Sequence, residues 1–264
     1  MLKKICVLLC LVLCTSCVQQ KTDENILREQ IGALLKTYQN SVNAIDQPLL
    51  KSIIADPFTM QAINKEEYMR QLLTMTLLID SITYSNIRVE NYKILADITI
   101  TGTQIMKPRV NIPLYKEQIP FLHGTTIIHS VFCFTYEGEQ LKLLAEDRKD
   151  MQSTYRWGTT PPAITLLPLP TAAKAGSILT VDGSVEKGAG NDVVFIAVDN
   201  NLVGSTLMSG LSDKTFSGAF ALPTTSNGLA ELTVMGFAGT LDLNNPDEAV
   251  LQGVQVLKYS IRVQ

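Results

Sequence analysis

The stretch Thr125-Thr-Ile-Ile-His-Ser-Val-Phe-Cys-Phe-Thr-Tyr136 is followed by Glu137-Gly-Glu139 and then by Leu141-Lys-Leu-Leu-Ala-Glu-Asp147. The first flank is rich in β-branched and aromatic residues, the second contains three leucines, and the residues between them favour a turn. The pattern predicts a β-hairpin. Upstream, apolar and polar residues alternate along Ile82–Glu90 and Ile94–Thr101, as they do in a strand with one buried face. We therefore expect an antiparallel sheet with one face packed against other elements.

Helical patterns precede this sheet. Apolar residues at three- and four-residue steps predict a helix over about residues 23–44. Asp46 is suited to cap a second, short helix. Asn64, followed by Glu67, resembles the capping box of a third helix that runs to Ile79.

Two proline-rich segments interrupt the pattern. Lys107–His123 is expected to form an irregular strand, an edge or a loop, and residues 158–170 a linker or an edge strand. Glycine, serine and threonine become more frequent after Trp157. We predict an α+β domain over residues 24–157 and an all-β domain over residues 171–264.

The second predicted domain contains short β-type stretches separated by turn residues. They are Ile178–Val185, Val193–Val198, Leu202–Met208, Thr215–Leu222, Glu231–Phe237 and Val254–Val263. In the last stretch Leu257, Tyr259 and Ile261 fall on one face, with polar residues between them. This spacing predicts a two-sheet sandwich.

Both predicted domains resemble known families. The order helix, helix, short strand, helix and strand meander over residues 24–156 is similar to the nuclear transport factor 2 superfamily, and Leu34-Leu-Lys-Thr-Tyr-Gln-Asn-Ser-Val-Asn-Ala-Ile-Asp46 resembles its opening helix. The resemblance implies a cystatin-like cone, in which helices pack on a bent antiparallel sheet. Ala175–Ser184 and Phe216–Leu222 resemble immunoglobulin-like domains of bacterial envelope proteins, which implies an immunoglobulin-like sandwich.

The N-terminus has the three parts of an export signal. Lys3 and Lys4 precede the apolar stretch Ile5–Leu13, which is too short for a stable membrane span. The small residues Thr15 and Ser16 then lead directly into Cys17.

This arrangement resembles the lipobox of bacterial lipoproteins. The resemblance implies that residues 1–16 are a signal peptide, that Cys17 carries a diacylglycerol and palmitate, and that residues 17–23 form a tether. We therefore expect the protein in the bacterial cell envelope, on the periplasmic side of a membrane or at the cell surface. An ordinary secretory signal, or a short anchor that is never cleaved, is the alternative.

Composition excludes several classes of protein. The chain has 22 basic and 25 acidic residues, a formal net charge of −3, so we expect no nucleic-acid partner. Of the 5 cysteines only Cys17 and Cys133 would remain after cleavage, which excludes a disulfide framework. With 2 histidines in the chain, we expect no metal site and no cofactor.

Two groups of residues are candidates for chemistry. Some members of the resembled superfamily place a histidine and an acid on the concave sheet face for proton abstraction or dehydration, which implies His129, Asp97 and Asp147 here. Ordinary strand positions, with the acids facing solvent, are the alternative. The oxygen-rich segment Asp242–Glu248 is suited either to bind calcium or to form a plain turn.

These observations lead to two functional hypotheses. The first is a lipid-anchored envelope protein that binds or scaffolds an envelope protein or a small ligand. The second is a small-molecule enzyme that uses the pocket of the cone. An interior filled by apolar side chains would favour binding, whereas an open pocket in which His129 meets a carboxylate would favour catalysis.

Overall fold

The computed structural model describes residues 24–60, 63–106, 121–186, 188, 193–199, 201–205, 214–224, 228–240 and 250–264. Within these residues the chain is mostly β-structure, and its helices all precede the long strands.

The helices begin where the sequence predicts. They are α1 (24–43), α2 (Gln47–Ile53) and α3 (Lys65–Thr74). The side chain of Asp46 accepts a hydrogen bond from the backbone N–H of Leu49, and that of Asn64 accepts one from Glu67, so both predicted caps are confirmed. Among the described helices, none combines the length and apolar character needed to cross a bilayer.

The long strands extend beyond the bounds that the sequence predicts, whereas Val193–Val198 has the predicted bounds. The strands are β1 (Ile54–Met60), β2 (Ile63–Asn64), β3 (Leu77–Glu90), β4 (Lys93–Met106), β5 (Leu122–Glu137), β6 (Gln140–Gly158), β7 (Ala163–Leu166), β8 (Ala172–Ala173), β9 (Ile178–Glu186), β10 (Val193–Val198), β11 (Asn201–Ser205), β12 (Thr215–Ala221), β13 (Gly228–Thr240) and β14 (Val250–Val263). The predicted third helix is wrong in its last part, because Ile79 pairs with Gly102 across β3 and β4. Most of Lys107–His123 lies outside the described residues, as does the end of Leu202–Met208.

One long sheet runs through both halves of the chain. Its strands lie in the order β11-β10-β13-β14-β6-β5-β4-β3, with β1 parallel to β6. The two halves meet where β14 pairs antiparallel with β6, for example Val256 with Tyr155. Division into separately folding domains therefore stays a prediction, because the hydrogen-bonded ladder crosses from one half to the other.

The two ends of the long sheet are covered on opposite faces. At the β3–β6 end, α1–α3 cover an apolar core that includes Ile31, Leu50, Ile98 and Phe132. At the β10–β14 end, a second sheet of order β12-β9-β7 packs on the sheet to form a sandwich. The prediction of a two-sheet sandwich is confirmed, and the last strand packs the predicted side chains into its core.

Helix α1 lies antiparallel along the edge strand β3. Near its C-terminal end, the side-chain amide of Asn43 bonds both the N–H and the carbonyl of Ile79. Towards its N-terminal end, the hydroxyl of Tyr84 donates to the carbonyl of Arg28 at 3.0 Å. The first residues of α1 therefore lie at the same end of the molecule as the β3–β4 turn.

Gly158 ends β6 at the corner where the chain leaves the long sheet. Its φ is 87°, and a Cβ there would lie 2.1 Å from the carbonyl oxygen of Gln252. Only glycine fits both the conformation and the close approach.

Candidate functional site

Two bulges in β6 decide which side chains face the helices. Leu144 and Lys149 are each skipped in the pairing with β5, so each is an extra residue in the strand. As a result Glu146 pairs with Phe132 and faces the helices, whereas Asp147 faces the other side of the sheet.

Glu146 is the centre of a buried polar network between the helices and the sheet. Its side chain is 1% exposed. Oε1 accepts hydrogen bonds from Ser130 at 2.9 Å and from Arg148 at 3.0 Å, and Oε2 accepts one from Tyr68 at 2.7 Å. The hydroxyl of Tyr38 lies 3.0 Å from that of Tyr68 and donates to it, because the proton of Tyr68 is already directed at Glu146.

The network fixes the protonation states of its two tyrosines and its arginine. Burial, with the nearby negative charge of Glu146, raises the pKa of Tyr38 and of Tyr68 far above the ordinary value. Burial alone would lower the pKa of Arg148, but the charge of Glu146, the neighbouring Tyr68 and Tyr38 and the hydrogen bond to Glu146 together outweigh it, and the pKa is raised. The phenols stay neutral and the guanidinium stays charged, so the network is suited to hold the fold together and poorly suited to transfer protons.

The sequence alone does not predict this network. Its one signal in the sequence is the alternation Glu146-Asp-Arg148 at the end of the predicted strand Leu141–Asp147, which would put two opposite charges on one face if the strand continued to Arg148. Which face they share depends on the bulges.

His129 lies on the sheet face opposite the helices and is 45% exposed. Its Nδ1 is 3.0 Å from the hydroxyl of Thr99, and its Nε2 is 4.0 Å from Oδ1 of Asp150. That oxygen is buried and accepts no hydrogen bond from the described residues. The carboxylate beside His129 is therefore Asp150, and neither Asp97 nor Asp147 takes this place.

Asp97 is held by residues of the neighbouring strand. Asn86 donates to it at 2.7 Å and Arg88 at 3.1 Å. These hydrogen bonds lower the pKa of Asp97, so the side chain stays ionised and partnered.

Asp147 joins the two halves of the chain. It accepts hydrogen bonds from Lys149 on its own strand and from Arg262 on β14, the latter at 2.8 Å. Partial burial raises the pKa of Asp147, but the two hydrogen bonds outweigh it and the pKa is lowered. The three predicted catalytic residues thus lie on the face away from the helices, in separate contacts, rather than on a concave face beneath them.

Grooves on the surface do not bring these residues together. One, of about 700 Å³, lies beside α2 and α3 and is lined by Lys51, Lys65 and Arg70 among others. Another, of about 520 Å³, lies at a corner of the sheet beside His123 and Gln104. His129 lines neither groove.

Among the described residues, the remaining candidate, Cys133, gives no further site. Cys133 is buried, and burial raises the pKa of its thiol, as expected for a core residue. Cys17 and Asp242–Glu248 lie outside the described residues. Within the part that the structure describes, no group of three or more His, Cys, Asp or Glu side chains is placed to hold a metal ion.

Comparison with known proteins assigns no family. No protein-family model matches the chain, and no curated protein matches it significantly. Among solved structures the chain is similar to the fibronectin(III)-like modules of CbhA from Clostridium thermocellum, at 11% identity over 69% of this chain and 95% of that chain. The TM-score is 0.23, which carries no argument about fold or function.

Proposed function

We propose that this chain is a lipid-anchored cell-envelope protein that binds or scaffolds a partner and is held at a membrane by a lipid on Cys17. The sequence Thr15-Ser16-Cys17 after a short apolar stretch supports the anchor. The observation that supports binding over catalysis is the filled interior between the helices and the sheet.

The interior leaves no room for a substrate near the network. Tyr38, Tyr68 and Phe132 are among the largest fully buried side chains, and both oxygens of Glu146 already accept hydrogen bonds. Breaking such a buried ion pair costs about 3 to 5 kcal/mol. Proton abstraction or dehydration needs an open pocket with a free base, and His129 is instead a half-exposed residue on the outer face.

We also propose a fold type for each half of the chain. The helix-covered half is a cystatin-like cone of the nuclear transport factor 2 type, supported by the order of its helices and antiparallel strands. The sandwich half is immunoglobulin-like, supported by its two packed sheets. The partner is an envelope protein or a small ligand, and the excess of acidic over basic residues argues against nucleic acid.

The anchor is tested by fractionating cells that express the wild type, Cys17→Ala or Cys10→Ala. We expect the wild type and Cys10→Ala to sediment with membranes and to incorporate labelled palmitate, because Cys10 lies within the segment that is removed. Cys17→Ala should do neither. If Cys17→Ala incorporated as much labelled palmitate as the wild type, the proposed attachment site would be contradicted.

The binding role is tested with His129→Ala in a deletion strain. We expect this variant to restore the parental phenotype as well as the wild type does, and the mature soluble form to capture the same partners from envelope extract. Loss of complementation by a folded His129→Ala protein would favour the enzyme alternative.

A further inference from the structure

Exposed apolar and aromatic side chains cluster at one end of the helix-covered half. Tyr92 is 100% exposed, Val89 65%, Ile26 48% and Tyr136 45%. We call these four residues the end surface.

The end surface is one contiguous region beside the start of α1. Val89 lies near the end of β3, Tyr92 lies in the β3–β4 turn, and the pairing of Ile94 with Phe134 places Tyr92 beside Tyr136. The hydroxyl of Tyr136 donates to the side chain of Gln30 on α1 at 2.5 Å. Ile26 lies one helical turn before Gln30, so it extends the same region.

The backbone of Tyr92 lies in the left-handed region, which bulky residues rarely adopt. Asn91 and Tyr92 have φ values of 48° and 63°, as in a tight two-residue hairpin turn. Asparagine adopts this conformation easily, but a bulky aromatic residue rarely does. Because the ring is fully exposed, no packing within the described structure offsets the energetic cost of this backbone conformation.

The proposed anchor would attach close to this same end. Glu24 is the first described residue of α1, and residues 18–23 separate it from Cys17. A linker of this length spans at most roughly 25 Å even when fully extended. A lipid on Cys17 would therefore keep the start of α1, and with it the end surface, close to the bilayer.

We propose that the end surface lies in the headgroup region of the bilayer that holds the lipid of Cys17. This inference rests on the proposed anchor. Tyrosine is suited to such a site because its ring is apolar and its hydroxyl stays hydrated. Arg88 is paired with Glu90 and Arg28 with Glu24, so these two arginines add no net charge that would attract anionic lipid.

The test places a single fluorophore at the proposed contact. Trp157 is the only tryptophan, so Tyr92→Trp is made in a Trp157→Phe background, and Ile178→Trp in the same background serves as the matched control. Ile178 is 71% exposed but belongs to the three-stranded sheet. Each acylated full-length protein is incorporated into vesicles of zwitterionic phosphatidylcholine with or without bromine on the acyl chains.

We expect the emission of Tyr92→Trp to shift to shorter wavelength and to fall about twofold in brominated vesicles, with Ile178→Trp unchanged. If both proteins float with the vesicles and carry palmitate but Tyr92→Trp is not quenched, the end surface does not touch lipid, and the anchor proposal stands. Equal quenching at both positions would also overturn the inference. If Cys17 carries no lipid and the protein does not float, the proposed function fails and this inference fails with it.

Discussion

The guanidinium of Arg262 donates a hydrogen bond to Oδ1 of Asp147 at 2.8 Å and another to the carbonyl of Arg148. The last strand of the chain is thereby tied to the strand that carries the buried network. The contact adds to the β14–β6 ladder, so the two halves are joined by side chains as well as by backbone.

Replacing Arg262 should weaken this connection moderately. We expect Arg262→Ala to lower the free energy of unfolding by about 1 kcal/mol, because Asp147 is half exposed and solvent screens the pair. Urea denaturation measures the effect. Lys149→Ala removes the other partner of Asp147 and leaves the link to β14 intact, so a larger loss in Lys149→Ala than in Arg262→Ala would contradict this role.

Removing the buried carboxylate should be far more damaging. Glu146→Gln removes the negative charge that Arg148 contacts in a buried site, and we expect a loss of about 3 to 5 kcal/mol in unfolding free energy. Asp97→Asn is the matched control on the outer face, where about 1 kcal/mol or less is expected. Similar losses in the two variants would show that the interior is more open to water than the structure indicates.

The buried tyrosines should make the protein sensitive to alkali. Because folding raises the pKa of Tyr38 and Tyr68 above the unfolded value of 10.0, their contribution to stability is complete below that pH and is lost as the pH rises further. We expect Tyr38→Phe to move the midpoint of alkaline unfolding, followed by circular dichroism, to higher pH. Tyr92→Phe, at a fully exposed position, should leave the midpoint in place.

If Tyr38→Phe left the midpoint of alkaline unfolding in place, Tyr38 would titrate freely in the folded protein. The absorbance of ionised tyrosine gives an independent check. The signal of Tyr38, obtained as the difference between wild type and Tyr38→Phe, should appear only together with unfolding.

The corner at Gly158 should tolerate no side chain. We expect Gly158→Ala to cost more than about 2 kcal/mol, since it adds a steric clash to an unfavourable φ. Gly138 also has a positive φ, of 64°, but a Cβ there meets nothing within 4 Å. Gly138→Ala should therefore show the conformational cost of about 1 kcal/mol alone, and equal effects at the two positions in thermal unfolding would argue against the close approach.

Local features of this fold could be predicted from the sequence, because short-range physics determines them. Asp46 and Asn64 cap helices through atoms three residues away, and the turn at Gly138 joins neighbouring strands. Long-range features could not be predicted. The pairing of β14 with β6 joins residues about a hundred positions apart, and no local pattern specifies it.

The buried network around Glu146 could not be predicted either, because it depends on a bulge in β6. Leu143 packs in the core, so simple alternation from it would place Ala145 and Asp147 in the interior and Glu146 outside. The extra residue Leu144 reverses this assignment. The predicted catalytic residue Asp147 therefore lies on the wrong face for a pocket beneath the helices, and alternation does not predict that the neighbouring Glu146 is buried.

The most direct test of the central claim is the intact mass of the native protein purified from the membrane fraction. We expect a chain that begins at Cys17 and carries the added mass of a diacylglycerol on that residue. A soluble protein that still begins at Met1, with residues 1–16 attached and Cys17 unmodified, would contradict the account.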